Sequence, residues 1–343
     1  MSKDMDLIIA ELNKQSKANL FTKGLGTIDC SKIPFTSPRM NYCTHGGLPE
    51  NKVIEFFGVE HGGKTTTAMD IVANFQARER QRAEENPNYV MRNAFWADIE
   101  NAFDREWATK LGIDIDELYY FHPEEQYAEE ILDFIKEILI KGKPGLIVID
   151  SIAAMTSKDA MEKSFEEKSF GGISAILSRF STEITGLCGK YKCTLIGINQ
   201  VRDDVNSTWG GYKTPGGRAW RHTCSVRMDF RKGKFIDENG RELANNTETP
   251  NGTTIAVSMI KNRYCPPDRR TGFYTLTWNG IDYYADLVEV ALKVGVIEKS
   301  GAWFTAPGIM EEKVQGQHGI QMYFEEHPDI LKQVEDLVDE RIS

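Results

Sequence analysis

Gly58, Gly63, Lys64 and Thr65 hold the fixed places of "GVEHGGKT", a G-x-x-x-x-G-K-[ST] pattern. Glycines there let backbone N–H groups turn inward and approach phosphate oxygens closely. The lysine neutralises charge on β- and γ-phosphates, and the threonine hydroxyl can ligate Mg²⁺. Asp150 closes the apolar run "LIVID" and can hold the same cation through its water shell. An aspartate ending a strand is common; beside a phosphate loop it becomes informative. Hydrolysis also needs a group to orient and deprotonate water. "AFWADIE" offers Asp98 and Glu100, and Glu100, just past the apolar run, is the expected base, with a plain surface carboxylate as the competing reading. Gln200 ends "LIGINQ", a neutral amide able to sense the γ-phosphate and relay its presence.

These groups need strands that end together and helices that begin beside them. "KVIEFFG" runs into the glycine loop, and Ala68, Ile71, Val72 and Phe75 follow at helical spacing, which argues against a merely structural glycine turn. "EQYAEEILDFIKEILIKG" puts Ile131, Leu132, Ile135, Ile138 and Leu139 on one helix face and feeds "GLIVID", a run suited to a strand covered on both sides. Ile173, Ile176, Leu177, Phe180, Ile184 and Leu187 predict another helix. "TCSVRMDF", "TTIAVSMI" and "GFYTLTW" alternate in the antiparallel manner, and "NG" in "FIDENGREL" predicts a hairpin turn. Two polar stretches, 157–172 and 201–217, leave the edge of the sheet where ligands bind in open α/β folds. The expected architecture is α/β with a mostly parallel sheet. A short amphipathic N-terminal helix (Leu7, Ile8, Leu12) needs a partner surface to cover its stripe, and a small helical and turn-rich unit closes the chain.

Composition narrows the classes. The 343 residues are 41% hydrophobic and 27% charged, an ordinary globular balance, with no run approaching the roughly 20 apolar residues of a membrane span. No signal peptide is apparent, so a cytoplasmic protein without a membrane partner is expected. Six cysteines without a C-x-x-C pair read as reduced, buried thiols. A net charge of −10 is unusual for a nucleic-acid binder, although phosphates are met by local patches.

In order and spacing, "GGLPENKVIEFFGVEHGGKTT", "FWADIENAFD", "IVIDSIAAM", "INQVR", "GGRAW", "SVRMDFRK", "IKNR" and "VIEKSGAWF" resemble segments of the RecA family of homologous-recombination ATPases, over nearly the whole chain. "GAWF" points to the bacterial type, and divergence elsewhere to a phage-encoded relative. The resemblance implies a RecA-like P-loop ATPase core over 33–282, an N-terminal arm over 1–32 that docks on the next protomer, and a small α+β domain over 283–343. It implies ATP and Mg²⁺ as cofactors, a helical filament on single-stranded DNA, and homologous duplex as second partner. The nucleotide loop would comprise Gly58, Val59, Glu60, His61, Gly62, Gly63, Lys64, Thr65 and Thr66, with Asp104 and Trp107 on adenine. Asp150 and Ser151 match the magnesium-side segment, Glu100 the catalytic glutamate, and Gln200 the γ-phosphate sensor. Stretch 157–172 would be the first DNA loop with Phe170 as wedge. Stretch 201–217 would be the second, with Arg202 and Val205 as phosphate contact and wedge and Gly216 and Gly217 at its end. Lys261 and Arg263, sharing a strand face by period two, would reach a neighbour's ATP.

Three departures stand out. Asp203 and Asp204 add negative charge to the second loop, Arg263 replaces the more usual lysine, and the family's long acidic tail is missing after Ser343. Two other classes share the core. A hexameric helicase-type motor would need an N-terminal domain for which some 25 residues leave no room. A non-catalytic recombinase paralogue would not need Lys64, Glu100 and Asp150 together.

Overall fold

The computed structural model describes residues 2–16, 31–162, 172–203, 212–237 and 240–342. The chain divides into two units, Met1–Ser31 and Lys32–Ser343. In the first, α1 (Ser2–Ser16) carries its apolar residues exposed, Leu7 at 69% and Ile8 at 49%. A single helix cannot bury its own stripe.

The second unit begins with β1 (Lys32–Ile33), α2 (Pro38–Thr44) and β2 (Leu48–Pro49), where β1 and β2 pair antiparallel. Then strands and helices alternate: β3 (Val53–Gly58), α3 (Lys64–Glu85), β4 (Ala94–Asp98), α4 (Arg105–Lys110), β5 (Leu118–Phe121), α5 (Ala128–Lys141) and β6 (Leu146–Asp150). After the short α6 (Lys158–Glu162) come α7 (Gly172–Tyr191), β7 (Thr194–Gln200), the small strands β8 (Arg202–Asp203) and β9 (Tyr212–Lys213), and α8 (Gly217–Thr223). β10 (Val226–Ile236), β11 (Gly252–Asn262), β12 (Thr271–Thr277) and β13 (Gly280–Ile281) complete the large sheet. Its nine strands run β13-β12-β11-β10-β3-β7-β6-β4-β5. From β10 to β5 every pairing is parallel, and from β10 to β13 antiparallel.

Period two explains the two cores. On β3, Ile54 and Phe56 face α3, meeting Ala68, Ile71, Val72 and Phe75 together with Trp96, Val148 and Ile196. Val53 faces the other way, with Phe95, Ile147, Ile149 and Leu195, against α5 and α7. Both faces are covered, so β3, β4 and β6 are buried at every position. Each fully buried Ile, Leu or Phe contributes about 1.5–3 kcal/mol. On α5 the expected stripe holds: Ile131, Leu132, Ile135 and Leu139 are buried, and Ile138 is partly so.

The antiparallel half differs from expectation in two ways. β10 runs on past "TCSVRMDF" to Ile236 because β11 continues beside it, with register shifts between Arg227 and Met228 and between Lys232 and Phe235. The predicted turn is partly visible, since Leu243 N–H donates to Phe235 O (2.8 Å) and Asp237 N–H to Arg241 O (3.0 Å). Asn239 lies outside the described residues, and β11 starts only at Gly252, so the turn folds back locally and does not join two long strands directly.

A third core is built by α9 (Tyr283–Lys293), the three-stranded antiparallel sheet of β14 (Glu298–Ser300), β15 (Trp303–Thr305) and β16 (Val314–Gln315), α10 (Gln317–Glu326) and α11 (Pro328–Ile342). Leu287, Phe304, Ile320, Phe324, Val334 and Val338 fill it. Of the described cysteines, Cys43, Cys188, Cys193 and Cys224 are free and buried as expected; Cys265 is free and only half-buried.

Candidate active site

The carboxyl ends of the parallel strands lie level. In register, Gly58 pairs with Gln200 and with Phe230, and Asp98 with Asp150. A side chain at Gly58 would place Cβ 2.1 Å from Phe230 O, so only glycine admits the β10 backbone this close. Gly63 adopts φ 85° as the N-cap residue of α3 and has no side-chain cap. The first N–H groups of α3 are thereby left for a ligand, and the helix dipole favours an anion. Behind the loop, the buried Tyr274 hydroxyl donates to Gly63 O (3.3 Å) and shares a hydrogen bond with Thr67 Oγ1 (2.8 Å). Lys64 is 8% exposed and donates to Val59 O at 2.6 Å, so its ammonium lies folded along the loop. Burial lowers its pKa, while Asp150, Glu100 and Glu60 oppose that. Within the loop Glu60 and His61 are exposed, and Gly62 is buried.

Thr65 Oγ1 donates to Asp150 Oδ2 at 2.9 Å. A hydroxyl and a carboxylate in contact beside a lysine are the hard-oxygen donor set that Mg²⁺ with a triphosphate takes, so these residues fit that pair. Burial pushes the Asp150 carboxyl up to about 7; the Thr65 hydroxyl opposes this, and Glu100 and Asp98 add to it. A cation placed there would reverse this effect.

Glu100 is held to β6 by its own N–H, which donates to Asp150 O (3.2 Å). Its Oε1 accepts from Ser151 Oγ and from Gln200 Nε2 (3.0 Å), so the residues expected as base, magnesium-side serine and sensor meet on one oxygen. Asp98, the other candidate, is consumed by structure. It is 1% exposed and accepts from Ala102 N–H, Phe103 N–H and Tyr120 Oη. Asp104 caps α4, accepting from Trp107 N–H (2.9 Å), and the Trp107 indole N–H donates to Thr66 Oγ1 (3.4 Å). Trp107 therefore stands beside the loop's last residue, on the helix that Asp104 caps.

Lys261 and Arg263 need a correction. β11 ends at Asn262, so Arg263 lies in the bend beyond it and not on a shared strand face. The two cations still converge, and within the chain they already have partners. Lys261 Nζ donates to Arg221 O (3.0 Å) and His222 O (2.8 Å), and Arg263 Nη2 to His222 O (3.4 Å). These are carbonyls of the last turn of α8, where the helix dipole is negative. Burial and then neighbouring Arg263 lower the Lys261 pKa.

In the second loop Arg202 pairs with Lys213 and Asp203 with Tyr212, which satisfies backbone groups that would otherwise go unpaired. Gly216 (φ 101°) and Gly217 (φ 70°) open α8. Phe170, Asp204 and Val205 lie outside the described residues.

Two family models match the chain, the RecA N-terminal domain over residues 5–282 and the RecA C-terminal domain over 285–343. The chain belongs to the RecA family. It is similar to Protein RecA of Aquifex pyrophilus, 31% identical over 91% of this chain and 84% of that one. It is 31% identical to Protein RecA of Syntrophus aciditrophicus over 98% of this chain and 93% of the relative, and 33% identical to that of Clostridium acetobutylicum over 86% and 78%. As a RecA-family protein it is an ATP-dependent recombinase, a DNA- and ATP-binding protein of recombination and repair. The RecA family consists of DNA-dependent ATPases that form filaments and use ATP, generally with Mg²⁺. Among the described residues no helix is long and apolar enough to cross a membrane.

The sequence reading missed Tyr274 behind the loop and a buried cluster around Glu55. Glutamate inside the otherwise apolar "VIEFF" was the available signal for the second.

Proposed function

We propose that this chain assembles on single-stranded DNA as a helical filament in the cytoplasm, pairs that strand with homologous duplex, and exchanges strands under ATP control. The convergence of Ser151 and Gln200 on Glu100 Oε1, beside the Thr65–Asp150 pair, is the observation that carries the reading. Among the described residues both of these bonds fall on Oε1, so Oε2 is the oxygen offered to water. Glu100 would orient that water and take its proton, while Gln200 would answer to the γ-phosphate and redistribute its hold on Glu100. Lys64 and the N–H groups of Gly58 to Thr66 would bind the phosphates, with Asp104 and Trp107 at the adenine. Thr65 and Asp150 would hold Mg²⁺, which supplies charge neutralisation between phosphate oxygens.

Across the filament interface, Lys261 and Arg263 would leave the α8 carbonyls for the ATP of the next protomer, stabilising the charge of the transition state as an arginine finger does. The arm over 1–32 would dock on that neighbour, consistent with the exposed stripe of α1. The core over 33–282 would present both DNA loops, including Phe170, Arg202, Val205, Gly216 and Gly217, and 283–343 would form the accessory domain. Backbone contacts would make binding independent of sequence, as strand exchange requires. A D-loop assay with ATP, single-stranded DNA and supercoiled homologous duplex tests the proposal. Joint molecules that require ATP and homology are expected, and their absence in an ATPase-active preparation contradicts it.

A further inference from the structure

β3 carries a fully buried carboxylate, Glu55, among Val53, Ile54, Phe56 and Phe57. Burying a charge there is unfavourable unless it is paired and its lone pairs are filled. Both conditions are met, by donors from three different elements. Arg227 Nε of β10, in direct register with Glu55, donates to Oε2 at 2.5 Å. Asn199 Nδ2 of β7 (2.9 Å) and Trp220 Nε1 of α8 (3.0 Å) donate to Oε1.

Each donor has a second attachment. Arg227 Nη2 reaches Thr214 Oγ1 (3.3 Å), and Asn199 Nδ2 reaches Pro215 O (3.0 Å), the segment in which the 201–217 stretch enters α8. Asn199 Oδ1 accepts from the N–H of Gln200, whose side chain holds Glu100. Trp220 lies in the helix whose last carbonyls hold Lys261 and Arg263. Stability alone does not call for such a pair, since apolar residues of similar volume often serve as well. What an apolar core would lack is the joint attachment of one strand end, one loop exit and one helix to a single carboxylate.

We infer that the Glu55–Arg227 pair, with Asn199, is the positioning unit that couples the nucleotide sensor to the exit of the second DNA loop and to α8. Movement of the β7 end with the γ-phosphate shifts the Asn199 amide between Glu55 and the Pro215 carbonyl. The exit of the loop and the seat of Lys261 and Arg263 move with it. The inference rests on the reading of this chain as a DNA-stimulated ATPase.

Two variants test it. Asn199→Ala removes the amide and leaves the Glu55–Arg227 charges paired. The double change Glu55→Leu with Arg227→Leu removes both charges together and so strands neither. Both are expected to melt cooperatively, to bind a fluorescent ATP analogue within about 2-fold of wild type without DNA, and to keep basal hydrolysis within about 2-fold. Stimulation by single-stranded DNA should fall at least about 10-fold. The gain in DNA affinity on adding a non-hydrolysable ATP analogue should shrink to within about 2-fold of none. Either variant with full stimulation and full nucleotide-dependent DNA affinity overturns the inference. So does loss of folding or of nucleotide binding in both, which would make the cluster a stability element. A wild-type protein that DNA does not stimulate overturns instead the functional reading on which the inference stands.

Discussion

At the ends of β3, β4, β6 and β7, Thr65, Glu100, Asp150, Ser151 and Gln200 are held by one another's side chains. At the end of β11, Lys261 and Arg263 are held by main-chain carbonyls of α8. The first arrangement is preorganised within one chain, and electrostatic preorganisation is what lowers a barrier. On the proposed reading the second would be a resting place, since carbonyls bind a cation less strongly than an ionised phosphate does. A site completed between protomers needs both kinds: a half that is always built, and a half that can leave its seat without unfolding anything.

The largest effect should come from the built half. Lys64→Ala removes the loop's charge and is expected to lower ATP turnover by about 1,000-fold in saturating single-stranded DNA, the upper range for losing one electrostatic contact. Turnover within a few-fold of wild type would place the phosphate chemistry elsewhere. Changing Lys261 and Arg263 together to alanine should leave nucleotide binding intact and lower DNA-stimulated hydrolysis by about several hundred-fold. Mixing that protein with Lys64→Ala protein should restore part of the activity, because one supplies an intact loop and the other intact cations. Full ATPase in the double variant alone would collapse the comparison, leaving a site complete in one chain.

Glu100→Gln should cost somewhat less, about 100-fold in hydrolysis, the lower range for losing a general base. ATP binding should persist, and filaments should outlive wild type on DNA. Dissociation under ATP as fast as wild type, followed by fluorescence of labelled DNA, would count against the role given to Glu100.

The parallel half was legible because local rules decide it. Strand β3, the glycine loop and α3 follow from apolar runs, the φ-permissive Gly58 and Gly63, and a helical stripe, all within residues 53–85. In sequence Glu100 is set apart from Asp98 only by position; that Asp98 is spent on Ala102, Phe103 and Tyr120 depends on a turn the sequence does not announce. The antiparallel half was less legible because its contacts are distant. Glu55 and Arg227 are 172 residues apart, and nothing nearby in sequence pairs them. Lys261 and Arg263 meet backbone atoms of Arg221 and His222, and backbone carbonyls carry no residue-type signal. Period two placed Arg263 on a strand that stops one residue before it.

The smallest effect expected on activity, and one on stability, separates two carboxyls whose pKa values burial raises alike. Asp150 faces the nucleotide loop; Asp286, on α9, is 0% exposed and meets the antiparallel half through Thr275, accepting from Thr275 N–H (3.2 Å) and Ser37 Oγ. Burial pushes Asp286 up to about 7, with Arg39 at 3.7 Å and Ser37 opposing. A carboxyl whose folded pKa exceeds its unfolded value near 4 holds its proton when the unfolded chain has released it. Its contribution to stability is therefore full below about pH 4, declines as pH rises, and is lost by about pH 7. Asp70, pushed up to about 6 by burial, adds to the same slope in the wild type, so only the difference between proteins isolates Asp286. Asp286→Asn keeps an acceptor for Thr275 and carries no proton to lose. Urea denaturation should find it equal to wild type near pH 4 and more stable at pH 8, by on the order of 4 kcal/mol. Its DNA-stimulated ATPase should be unchanged, whereas Asp150→Asn should lose turnover. An Asp286→Asn protein less stable than wild type at pH 8 would mean that the pairing of the ionised carboxylate with Arg39 outweighs the penalty of its burial.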